Sequence, residues 1–139
     1  MSPRERFDRL YDRVIRAAEA RSTDTVLMFA PMALAAFEQL PEADTDARYH
    51  AAMIHVVVGE LAAAKALADT IARNQPGHLF AFLIRGEAAE QANDLSSLTQ
   101  SYKDFLASYD AEMKANRREY LEHRPVLEDF LNRARAAPK

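Results

Sequence analysis

The stretch Gly59-Glu60-Leu61-Ala62-Ala63-Ala64, continuing to Gln75-Pro76-Gly77, decides the fold. Between its two glycines lie residues that favour a helix, and Gln75-Pro76-Gly77 closes it. The same landmarks return at one fixed interval before and after this stretch. Thr25-Val26-Leu27, Gly59-Glu60-Leu61 and Asn93-Asp94-Leu95 occupy equivalent turns between two helices. Small residues coincide in the first helix of each pair, at Ala18, Ala52 and Gly86. In the second helix Ala30 and Ala64 align with Leu98, and Phe37 aligns with Ile71 and Phe105. Pro76 ends one unit, Asp110 stands opposite it, and Pro41 lies one residue out of register. Small side chains let the two helices of a pair approach closely, while the large ones fill the space to the next pair.

Outward from this frame, Ser2-Pro3-Arg4-Glu5 is a capping box with proline at the first helical position. Phe7, Leu10, Tyr11, Val14, Ile15 and Ala18 follow it as one apolar stripe. Further helices are expected over residues 25–40, 47–58, 61–74 and 79–92, and from Leu95 to near residue 109. Pro31 should kink the one over residues 25–40. After a mixed-charge run from Lys114 to Arg124, Pro125 opens a helix with Leu127, Phe130, Leu131 and Ala134 on one side. No segment alternates with period two, so the expected fold is all-α with about seven helices. Gly59 is expected in a left-handed conformation at its turn, and Gly86 at a close contact between the helices of its unit.

A helix-turn-helix unit recurring at this interval, about 34 residues, resembles the tetratricopeptide repeat. The resemblance covers three units, 11–44, 45–78 and 79–112, with 113–139 as a capping segment, all within a single domain over 1–139. Some positions depart from the family's pattern. Arg48 stands where the family usually has a large aromatic, although Phe82 in the next unit conforms. Arg85 replaces a usual leucine, His55 a usual aromatic, and Leu98 a usual small residue.

The resemblance implies an α-solenoid, a superhelical array of antiparallel helix pairs whose first helices line a concave groove. It places Ile15, Glu19 and Ser22 in that groove, then Tyr49, Met53, Val56 and Val57, then Phe80, Leu83, Glu87, Glu90 and Gln91. The result is an apolar floor with acidic edges. The branch of the family that clamps acidic C-terminal tails of chaperones uses lysine, asparagine and arginine where this chain has Ile15, Glu19, His50, Phe80 and Ile84. The implied occupant is therefore a basic amphipathic peptide or partner helix, with Tyr49, Met53, Phe80 and Leu83 as anchors. A stacked array exposes apolar surface at its last unit, and the C-terminal helix is the natural cap, over Tyr102, Phe105 and Leu106. The other reading of the same residues is that they are core. The tail, through Tyr120 and Leu121, would then fill the groove, and binding would move to the convex face.

Composition narrows the function classes. The chain has 139 residues, about the size of one domain, and needs no covalent staple. Lys+Arg 18 against Asp+Glu 21 gives a net charge of -3, the wrong sign for a nucleic-acid partner. Zero cysteines exclude a disulfide scaffold and thiolate chemistry and fit a reducing compartment. The N-terminal residues carry no apolar run suited to export, and the apolar stretches from Val26 to Phe37 and Leu61 to Ala68 are too short or too interrupted to cross a bilayer. A cytoplasmic protein without membrane contact is expected.

Little in the sequence suggests chemistry. Only 3 glycines occur, and they are scattered, so no phosphate-cradling loop is present. His50 and His55 are five residues apart, unlike a helical zinc pair, and no glutamate precedes any histidine by three positions. Glu87 and Glu90 share a helix face that solvation explains, and Ser96 and Ser97 suit a helix first turn. No cofactor, metal or catalytic residue is expected. The leading reading is a non-enzymatic interaction module. A self-associating structural subunit, a homodimer through the apolar face, is the second, and an enzyme the distant third.

Overall fold

The computed structural model describes residues 1–138. The chain is all-α. Its described residues form α1 (Pro3–Glu19), α2 (Thr23–Glu38), α3 (Thr45–Val57), α4 (Leu61–Asn74), α5 (Leu79–Gln91), α6 (Leu95–Lys114), α7 (Arg118–Glu122) and α8 (Arg124–Ala136), with no strand among them. This is one helix more than the sequence suggests. The addition is α7, a single turn of 5 residues whose one buried side chain is Tyr120, too short to write a periodic stripe. Helix α6 also runs on to Lys114, past the expected end near residue 109.

The backbone explains where several helices stop. After α3 the Gly59 N–H bonds the Val56 carbonyl and the Glu60 N–H bonds the His55 carbonyl, with Gly59 at φ 83. That is a Schellman ending with a left-handed glycine. Asn93 repeats it one period later at φ 56, its N–H on Glu90 and the Asp94 N–H on Ala89. The same device after α1 uses Arg21 at φ 57, although the period would put it at Thr25. Thr45 and Leu79, the starts of α3 and α5, are one period apart, and so are Leu61 and Leu95, the starts of α4 and α6. The period is thus kept between the second and third helix pairs, and the first pair turns four residues early.

Two compact units divide the chain, Met1–Leu67 and Ala68–Lys139. In the first, α1 turns Phe7, Tyr11, Val14 and Ala17 inward against Val26, Ala30, Ala33 and Ala36 of α2 and Ala47, Ala51 and Ile54 of α3. Three alanines on the inward side of α2 keep the helices close. Pro31 does not end α2. It is exposed beside exposed Leu27, so the Leu27 carbonyl that loses its donor lies on the solvent side. A polar latch holds the entry to α3. Asp44 caps it by accepting from the Ala47 N–H at 2.8 Å, and Arg4 donates to Asp8, Asp44 and Asp46 at 2.8–3.1 Å. The Tyr11 ring stacks on His50 at 3.9 Å.

In the second unit α5 pairs with α6, and α8 lies across α6. Phe130 of α8 sits 5.1 Å from Tyr102 and 4.9 Å from Phe105, ring to ring. Gly86 of α5 is what lets that ring in. A Cβ added there would meet Phe130 ring carbons at 2.5 and 2.7 Å, and Ser101 of the paired helix only at 3.5 Å. The close contact expected at Gly86 exists, but it is made chiefly to the C-terminal helix.

Candidate interaction surface

The side chains expected to floor a groove are largely core. Phe80 and Leu83 are 0% and 1% exposed. The tail explains Phe80, whose ring meets Tyr120 at 5.5 Å and His123 at 5.6 Å. Tyr120 is buried with it, whereas Leu121, the other expected filler, is half exposed. Tyr49 and Val56 are buried, and Met53 and Val57 are half-buried. The expected acidic edge is also occupied. Arg133 of α8 donates to Glu87 and, at 2.7 Å, to Glu90, and its Nε lies 3.1 Å from Asp129. Tyr49 and Val56 lie on α3 and Phe80 and Leu83 on α5, and the segment after residue 112 covers Phe80.

The buried polar groups of the second unit bond one another. His78 caps α5 through Nδ1, which accepts from the Phe80 N–H at 3.1 Å, leaving Nε2–H to donate to Glu119 at 2.8 Å. Burial pulls the His78 pKa below its ordinary value although Glu119 pulls the other way. The Tyr120 hydroxyl accepts from the Leu79 N–H at 2.8 Å and donates to Glu112 at 2.6 Å. Burial and the Glu112 carboxylate push that phenol well above its usual range. Burial also raises the Glu87 carboxyl, against the opposing pull of Arg133. These groups fasten α7 and α8 onto α5.

The outer side of the first helix pair has the opposite character. Helix α2 is apolar almost all round, with Asp24 and Glu38 its only charges in 16 residues. One side is the core stripe already described. The other exposes Leu27, Met28 and Met32 at 62%, 64% and 42%, with Pro31 and Ala35 between them. A helix apolar on every side is normally buried on every side. A contiguous exposed apolar patch is uncommon on a free soluble surface.

Along α1 the neighbouring flank is basic. Arg6, Arg9, Arg13 and Arg16 recur at helical spacing, and Phe7, Asp8 and Tyr11, which meet α3, fall on the opposite side. The Arg13 guanidinium lies 4.3 Å over the Phe29 ring of α2. Two furrows separate the helices. One of about 600 Å³ is lined by Arg9, Asp12, Arg13 and Arg16 with Ser22 and Thr25, and one of about 540 Å³ by Arg6 with Met32, Ala35 and Gln39. In the sequence the run from Val26 to Phe37 reads as a helix packed through Ala30 and Phe37, too interrupted to span a membrane. Its all-round apolarity was the signal that pointed to a surface.

No family model, no curated protein and no solved structure matches the chain. Among the described residues no helix is long and apolar enough to cross a membrane.

Proposed function

We propose that the chain is a non-enzymatic, tetratricopeptide-like helical array acting in the cytoplasm as a protein-interaction module. Its docking face is the outer side of α1 and α2. The observation that carries this reading is α2 itself, which spends one apolar face on its own unit and keeps Leu27, Met28 and Met32 exposed on the other. Leaving that face in water forgoes roughly 25 cal/mol for each Å² that a partner could cover. Methionines suit such a surface because their flexible side chains adapt to the partner's shape. Support for the repeat comes from the common period shared by the starts of α3 and α5, of α4 and α6, and by the turns at Gly59 and Asn93.

Photo-crosslinking in the native cell tests the docking face. A photoreactive residue placed at Met28 should give a discrete adduct, and one placed at half-buried Met53 on the expected groove should not. The Met28 adduct should disappear when Leu27 and Met32 are changed to serine. An adduct of twice the chain's own mass would favour the self-associating subunit instead. Crosslinking at Met53 alone would place binding back on the groove.

A further inference from the structure

We infer that the segment docked on the outer face of α1 and α2 is an acidic amphipathic helix; this rests on the docking face proposed above and adds the chemistry of its occupant. The apolar strip of Leu27, Met28 and Met32 sets one requirement, a stripe of apolar side chains at helical spacing. The arginine row sets the other. Among the described residues Arg6, Arg9 and Arg16 make no ion pair within 4 Å, and Arg9 acts on the Glu5 carboxylate only at longer range. Elsewhere in the same unit Arg4 is held by three carboxylates. The two furrows between α1 and α2 carry four arginines against a single carboxylate, Asp12. A helix lying along α2 with its apolar stripe on the methionines would bring one flank over that row. Carboxylates on this flank would complete forked hydrogen bonds that the guanidiniums now leave open.

The observations favour a helix over an anionic lipid surface. The face is furrowed between α1 and α2, and the side chains of a docked helix can enter furrows that a flat lipid plane would leave unfilled. A basic peptide, the occupant implied by the groove's acidic edge, would meet like charge here.

Three probes decide the matter with the full chain. One is a helical peptide with leucines at i, i+3, i+4 and i+7 and flanking glutamates. The second has the same leucines with lysines in place of glutamates, and the third is a vesicle rich in anionic lipid. The acidic peptide should bind about tenfold or more tighter than its lysine counterpart at low salt, and raising the salt should shrink the difference. Neutralising Arg6→Gln, Arg9→Gln and Arg16→Gln together should remove most of the preference without altering helix content. Equal binding of the two peptides, lost in a Leu27→Ser/Met28→Ser/Met32→Ser variant, would keep the docking face and overturn the acidic partner. Failure of the acidic peptide to bind, or binding to vesicles alone, would also overturn it. The crosslinking experiment judges the face separately.

Discussion

Replacing Gly86 with alanine should destabilise the protein, the reverse of what helix propensity alone predicts. The new methyl carbon would stand 2.5 and 2.7 Å from Phe130 ring carbons, where carbon atoms prefer about 3.5–4.0 Å. The ring has little freedom to retreat. It is fully buried and bounded by Tyr102 at 5.1 Å and Phe105 at 4.9 Å. Overpacking of this kind costs about 1–3 kcal/mol. Removing a mid-helix glycine returns about 1 kcal/mol. The net expectation is a loss of up to about 2 kcal/mol, or up to about 6 °C in Tm for a chain of this size. Urea unfolding of Gly86→Ala, Phe130→Leu and the double variant measures it. In the Phe130→Leu background the shorter side chain frees the site, so Gly86→Ala should become stabilising by about 0.5–1 kcal/mol. Stabilisation by Gly86→Ala in the native background would refute the reasoning, because the close approach of α8 to α5 would then not exist.

Arg133→Gln should cost roughly 1–2 kcal/mol at pH 8 and little at pH 4. Burial already raises the Glu87 carboxyl, so its contribution is favourable when protonated and is lost as pH rises through the folded value, more so without Arg133; urea midpoints at the two pH values check this. His78 has a folded pKa below its unfolded one, so the stability it contributes above about pH 6.5 is lost as pH falls through the folded value. Stability should therefore drop between pH 7 and pH 5, and drop less in His78→Asn, which keeps a cap acceptor for α5. Tyr120→Phe leaves the Leu79 N–H without its acceptor and Glu112 without that donor, and should lower the unfolding free energy by about 1–3 kcal/mol while helix content by circular dichroism stays unchanged.

Local signals carried most of the helix boundaries. Ser2 and Glu5 form the capping box that their spacing announces, and α4 spans the residues expected of it, because caps, glycines and prolines act within a few residues of themselves. The first turn was less legible. Arg21 takes a left-handed conformation that its side chain does not advertise, so the register there slips by four residues. The one-turn helix α7 left no stripe to read. Its role depends on Tyr120 reaching a backbone N–H 41 residues away in sequence, which no local pattern encodes. For the same reason Phe80 and Leu83 read equally well as groove floor or as core. Apolarity says that a side chain is covered; it does not say by what. Glu87 and Glu90 looked like a solvated edge because their partner, Arg133, comes from a helix far along the chain.

The five methionines allow the central claim to be tested in one spectrum, since Met28 and Met32 lie on the outer face of α2, Met53 lies on the expected groove, and Met1 and Met113 complete the set. With methyl-labelled methionine, each ε-methyl gives its own NMR signal, and the acidic amphipathic peptide can be titrated in. The account predicts that the Met28 and Met32 signals shift together and saturably while Met53 stays in place. Movement of Met53 with Met28 and Met32 unchanged would contradict it.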